Sequence, residues 1–125
     1  IIKKCEAIAS IDARGFIFGS AIAIRSAKPM IVLRKPGKLP GELITSNYEL
    51  EYGKNSLSIQ KSSIKKFSSF AIVDDLLATG GTANCAYSLL NNFNKKVTGL
   101  AVVAELKELN ARRRLDMKVV SQIKI

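Results

Sequence analysis

Histidine is absent from the 125 residues. That excludes imidazole-based catalytic triads, zinc centres built on histidine and any histidine general base. Cysteine is scarce: Cys5 and Cys85 lie far apart without metal-ligand spacing and read as buried thiols of a reducing compartment. No apolar run approaches the roughly 18 residues that a membrane-spanning helix needs. The opening Ile1-Ile2-Lys3-Lys4-Cys5 sets charge inside a short apolar stretch, unlike a secretory signal. A soluble, cytoplasmic protein with no membrane partner is therefore expected. Position 1 is not methionine and the chain runs almost at once into an apolar segment, which reads as a chain without its N-terminal part. Acidic charge is also sparse, ten side chains against twenty basic ones, for a net charge of +10. A nucleic acid or a small polyanionic substrate would each suit that excess. The lysines are scattered as on a solvated surface, so no nucleic-acid partner is expected. The one tight basic run, Arg112-Arg113-Arg114, reads as a solvated helix face.

What is present is a chain of single-domain length with 47% hydrophobic residues, enough for a core. Cys5–Ile11 reads as a strand, broken by Asp12-Ala13-Arg14-Gly15, and Phe16–Ser26 as a buried helix. Pro29 opens a second strand, Met30–Leu33. The Pro- and Gly-rich stretch from Arg34 to Gly53 reads as a long loop or hairpin arm, extending to about residue 56, with a strand around Leu57–Gln60 leading out. Lys61–Lys66 reads as a polar connection, Phe70–Val73 as a compact strand, and Asp74–Thr82 as a Gly-rich turn. A helix over Ala83–Asn92, a strand over Val97–Ala104, a helical stretch over Lys107–Leu115 and a last strand over Val119–Ile125 follow. Strands alternating with helices predict an α/β domain over 1–125: a mainly parallel sheet flanked by helices on both faces. Ligands in such sheets sit beyond the carboxyl ends of the strands. Asp12, Arg34, Asp74 and Glu105 fall at or past those ends and are expected to converge on one crevice.

The most informative segment is Ile72-Val73-Asp74-Asp75-Leu76-Leu77-Ala78-Thr79-Gly80-Gly81-Thr82. An apolar strand delivers two adjacent carboxylates, a loop of small residues follows, and a helix begins. Gly80 and Gly81 permit close backbone approach. The unpaired amides of the helix's first turn make an anion site. Carboxylates beside a phosphate need another partner, and ribose hydroxyls or a water-bound magnesium ion would satisfy Asp74 and Asp75. A ribose 5-phosphate unit meets both needs. The competing reading is a plain strand–turn–helix connection capped by Asp75 or Thr79. The loop lacks the Gly-Lys-Ser/Thr ending of a Walker A motif.

This segment resembles the phosphoribosyl pyrophosphate (PRPP) motif of the type I phosphoribosyltransferases, and its Leu-Leu-Ala filling is similar to the adenine-specific branch. The resemblance implies that Asp74 and Asp75 bind the ribose hydroxyls and that Ala78, Thr79, Gly80, Gly81 and Thr82 bind the 5′-phosphate. Ala13-Arg14-Gly15-Phe16 resembles the same branch, implying pyrophosphate binding by Arg14; a local Asp12–Arg14 ion pair is the competing reading. Arg34-Lys35-Pro36-Gly37-Lys38-Leu39-Pro40 resembles its mobile loop. This implies pyrophosphate contacts from Lys35, catalytic roles for Arg34 and Lys38, and a homodimer in which Arg34 reaches the neighbouring site. Tyr48-Glu49-Leu50-Glu51-Tyr52-Gly53 matches the branch's Tyr-x-Leu-Glu-Tyr-Gly segment. Glu51 is thereby the candidate acid/base group, and Tyr52, with Leu106, a base contact. The resemblance runs from about Ala7 to Leu115 and implies transfer of the phosphoribosyl group of PRPP to adenine, giving AMP and pyrophosphate, with magnesium entering alongside PRPP. The branch carries a further N-terminal segment that recognises adenine, before the point where this chain begins. A phosphoribosyltransferase for another purine base, a PRPP-sensing regulator that binds nucleic acid, and an inactive fragment are the alternatives.

Overall fold

A computed structural model describes the backbone of residues 1–50 and 53–125, and the side chains of all of these except 47–50 and 53–55. Five strands form one sheet in the order β2-β1-β5-β6-β7, and every pairing in it is parallel. The strands are β1 (Ala7–Ile11), β2 (Met30–Leu33), β5 (Ser69–Leu77), β6 (Lys96–Glu105) and β7 (Val119–Lys124). A second, antiparallel sheet is the hairpin of β3 (Leu43–Leu50) and β4 (Gly53–Gln60), with Leu43 opposite Gln60 and Ile44 opposite Ile59. Its base is tied to the end of β2 by paired backbone bonds between Arg34 and Ser58, 3.0 and 2.7 Å long.

The two faces of the sheet follow from strand alternation. On β5, Phe70 and Ile72 turn toward one core and Ala71 and Val73 toward the other. The larger core takes Ala7, Ala9 and Ile11 of β1, packed with Leu57 and Ile59 of the hairpin and with helix α3 (Gly81–Asn91) through Ala83, Ala86, Leu89 and Leu90. Helix α1 (Gly15–Ser26) covers the opposite face, where Phe18, Ile22 and Ala23 meet Ile8, Ala71 and Val73. Helices thus lie on both faces, as the alternation of elements predicts. No helix of the described residues is long and apolar enough to cross a membrane.

The contact between α1 and β1 depends on a missing side chain. A Cβ on Gly19 would sit 2.2 Å from Ser10 Oγ, so only glycine lets the helix settle this close. Ser10 Oγ is fully buried and donates to the Gly15 carbonyl at 2.7 Å, which ties the first turn of α1 to the strand below.

Four expectations need correction. Helix α1 is not buried all round: Ile17 and Ile24 are 66% and 83% exposed, so its apolar outer face is open. Lys61–Lys66 is helix α2, not a plain connection; it buries Ile64. Lys107–Leu115 is two short 3-10 turns, Lys107–Leu109 and Ala111–Arg114, broken by Asn110 in the left-handed conformation. Strand β5 runs through Asp74 and Asp75 to Leu77, so the two acids stand on the strand and not in the turn after it.

Candidate active site at the carboxyl ends of the strands

Strand β1 ends at Ile11 and α1 begins at Gly15, leaving Asp12-Ala13-Arg14 as a tight loop pinned beneath by the Ser10–Gly15 bond. Beside it, β5 carries Asp74 and Asp75. A Cβ on Gly15 would lie 3.0 Å from the Val73 carbonyl and 3.1 Å from Asp74 Oδ1, so the loop can rest on the acids only because residue 15 has no side chain. The Asp75 amide donates to Asp74 Oδ1 at 2.8 Å. Arg14 reaches across the loop, with Nε 2.5 Å from Asp75 Oδ2. The competing Asp12–Arg14 pair does not form. Asp12 instead accepts from Arg34 Nε at 3.3 Å.

The two carboxyls differ in character. Burial pushes Asp74 from 3.8 up to about 7, with the neighbouring Asp75 adding to the rise. Burial also acts to raise Asp75, but the hydrogen bonds from Arg14 and Asp74 outweigh it and hold Asp75 below the ordinary carboxylate range. One acid is therefore poised to be neutral and the other charged near neutral pH.

After Leu77 the chain turns through Ala78-Thr79-Gly80 into α3. Gly80 takes φ +90°, a left-handed angle that favours glycine, and caps the helix without any side-chain hydrogen bond. Thr79 Oγ1 accepts a long, 3.4 Å hydrogen bond from the Gly81 amide, whereas Asp75 takes no part in the helix start. Gly80 itself offers no capping side chain, so apart from that long bond the first-turn amides have no side-chain partner among the described residues, as an anion site requires.

These parts form two adjoining hollows. One, of about 390 Å³, is lined by Asp12, Arg14, Lys35, Asp74, Asp75, Ala78 and Thr82, with Leu57 of the hairpin at its side. The other, of about 70 Å³, lies against Thr79, Gly80, Gly81 and Thr82 and shares Asp74, Ala78 and Thr82 with the first. Eight of the residues expected to hold PRPP, together with Lys35, are thus brought together. Arg34 and Lys38 line neither hollow. Arg34 is half-buried, its guanidinium 5.8 Å over the Phe16 ring and 3.4 Å from the Lys38 carbonyl, while Lys38 is exposed. Glu51 and Tyr52 lie outside the described residues. Leu106 is half-buried and lines neither hollow; its amide donates to the Leu77 carbonyl at 2.9 Å.

Glu105 does not join the crevice. It is buried at the end of β6, where Arg112 grips both carboxylate oxygens at 2.7 Å and Ser121 Oγ donates to one of them at 2.7 Å. The bond from Arg112 holds its pKa down at about 2. The arginine run is accordingly not a uniform solvated face. Arg112 is spent on Glu105, and Arg114 reaches the Thr79 carbonyl at 2.7 Å. Sequence reading missed Arg114, Leu57 and Ser10 as neighbours of the site. Only Ser10, a lone polar residue inside an apolar strand, carried a local signal.

The chain as a whole is similar to known proteins. The phosphoribosyl transferase domain family matches residues 3–125. An adenine phosphoribosyltransferase of Prochlorococcus marinus (strain MIT 9312) is 68% identical over 123 residues, 98% of this chain and 72% of that protein. A solved adenine phosphoribosyltransferase of Thermoanaerobacter pseudethanolicus superposes with a TM-score of 0.92 at 41% identity, over 98% of this chain and 72% of its own. The Saccharomyces cerevisiae enzyme, solved with an imino-altritol bisphosphate and adenine, superposes with a TM-score of 0.90 at 37% identity, over 95% of this chain and 68% of its own. By the family match and these likenesses, the chain belongs to the phosphoribosyl transferase family and, within it, to the adenine phosphoribosyltransferases.

Proposed function

We propose that this chain transfers the 5-phosphoribosyl group of PRPP to N9 of adenine, forming AMP and releasing pyrophosphate, and so serves purine salvage in the cytoplasm. The observation that carries this reading is the Asp74–Asp75 pair standing beside the glycine-capped start of α3 at Gly80. In it, the ribose hydroxyls donate to Asp74 and Asp75 while the amides and hydroxyls of Ala78, Thr79, Gly80, Gly81 and Thr82 take the 5′-phosphate. Arg14 and Lys35, at the rim of the larger hollow, meet the pyrophosphate, Arg14 turning from Asp75 to do so. Arginine grips such a group with two parallel bonds and lysine as a point charge.

As the C1–pyrophosphate bond breaks, positive charge develops on the ribose and negative charge on the leaving group. Fixing both partners and neutralising that charge supplies the rate. Arg34 and Lys38 approach with their loop and add to the neutralisation while the loop excludes water. Glu51 receives the N9 proton of adenine. Tyr52 and Leu106 pack against the base.

Among the described residues no cluster of three or more His, Cys, Asp or Glu side chains would cage a metal. Two adjacent carboxylates suit a magnesium ion that keeps its waters and takes its remaining ligands from substrate phosphates. Asp74 and Asp75 would be its protein contacts, and it would supply neutralisation of the pyrophosphate charge. The open apolar face of α1, with Ile17 and Ile24, supports a homodimer, and the buried free thiols Cys5 and Cys85 support a reducing compartment.

The test is pyrophosphate release from PRPP and magnesium with adenine, hypoxanthine or guanine in turn. Release with adenine alone is expected. Equal turnover of guanine or hypoxanthine would remove the base assignment, and tight, salt-resistant DNA binding would favour a regulator.

A further inference from the structure

We propose that Arg114 is a positioning residue that orients the phosphate loop, an inference that rests on the reading of Thr79–Thr82 as the 5′-phosphate site. Its guanidinium spans two carbonyls distant in sequence: Nη1 donates to Thr79 at 2.7 Å and Nη2 to Leu109 at 2.6 Å. The Ala111–Arg114 turn that carries it also walls the outer side of the loop. A Cβ on Gly80 would lie 3.3 Å from Ala111 Cβ and 3.5 Å from Leu115 Cδ2. The turn is itself anchored, because Arg112 holds Glu105 with two bonds and the Val119 carbonyl at 2.9 Å. A continuous set of contacts thus runs from the end of β6 through Arg112 and Arg114 to Thr79.

The consequence for the ligand follows from peptide geometry. The C=O and N–H of one trans peptide point in opposite directions. With the Thr79 carbonyl held by Arg114, the Gly80 N–H of the same peptide points away from Arg114, and it has no hydrogen-bond partner among the described residues. Arg114 therefore sets the direction of an amide facing the phosphate and lends positive charge behind the loop without touching the ligand. Released from Arg114, the glycine-rich peptide is free to rotate, and ordering it again is charged against binding.

The experiment is steady-state kinetics on the whole chain with Arg114→Gln, Arg114→Lys and, as a charge control, Arg113→Gln, whose exposed side chain makes no hydrogen bond among those of the described residues. Arg114→Gln is expected to raise KM for PRPP about tenfold, about 1.4 kcal/mol, with kcat and the KM for adenine within about twofold. Arg114→Lys, able to reach one carbonyl, should recover part of that loss, and Arg113→Gln should match the parent. An unchanged KM for PRPP in Arg114→Gln, a fall in kcat alone, or an equal loss in Arg113→Gln would each overturn the proposal. If Arg114→Gln does not fold, Arg114→Lys decides: a raised KM supports the role and an unchanged one refutes it. If the parent turns over no PRPP, the reaction reading fails by itself. Calorimetric titration with ribose 5-phosphate then tests Arg114 separately, with about tenfold weaker binding expected and equal binding refuting it.

Discussion

Asp74→Asn should make the empty protein more stable in mild alkali while disabling the site. Asp74 binds its proton with a pKa raised from 3.8 to about 7, mainly because it is buried. Below the lower value both folded and unfolded chains are protonated there. As pH rises toward the upper value the unfolded chain ionises first, so stability is lost through that window and the loss is complete above it. A rise of about three decades at about 1.4 kcal/mol each bounds the loss at about 4 kcal/mol. Asp75 shares the titration and shifts the other way, so about half, ~2 kcal/mol, is the working figure. Asparagine keeps an oxygen for the Asp75 amide, which Asp74 Oδ1 now accepts at 2.8 Å, so the substitution removes charge with little change of shape. Urea unfolding of parent and variant at about pH 8.5 and about pH 4.5 measures the effect, with a gain of ~2 kcal/mol at the first and under about 0.5 at the second. A variant equally stable at both pH values, or weaker at the higher, would refute the assignment of a buried, costly charge to Asp74.

Gly19→Ala should destabilise the fold by about 2 kcal/mol or more, because its methyl would meet buried Ser10 Oγ at 2.2 Å; thermal unfolding reads this directly, and an unaltered midpoint would contradict the packing of α1 on β1. Glu105→Gln should cost about 1–2 kcal/mol at neutral pH, discounted because the Arg112 side chain is 41% exposed. With a folded pKa of about 2, Glu105 contributes stability above its ordinary range and loses it as pH falls toward 2. The gap between parent and variant in urea unfolding should therefore close in strong acid.

Much of the site was legible because its chemistry is local. Asp74, Asp75 and the Thr79–Thr82 turn lie within nine consecutive residues, and the strand–loop–helix order around them fixes where they point. The parallel sheet was legible for a similar reason: buried strand segments such as Phe70–Val73 read as unbroken apolar runs. What escaped was set by distant pairing. Arg14 pairs with Asp75, sixty-one residues on, rather than with nearby Asp12, because the loop rests on β5. Glu105 stands at a strand end like the other acids, yet Arg112 and Ser121 draw it away from the crevice. The helical reading of Lys107–Leu115 failed at Asn110, where a left-handed residue breaks the run into two short turns. The apolar outer face of α1 shows why composition misleads: Ile17 and Ile24 look like core residues but face outward from this chain.

The most direct measurement is calorimetric titration of PRPP into the parent chain and into the Asp74→Asn, Asp75→Asn double variant, both shown to be folded. The account predicts saturable binding by the parent and at least about a hundredfold weaker binding by the variant, about 2.7 kcal/mol. Equal affinity in the two proteins would contradict it.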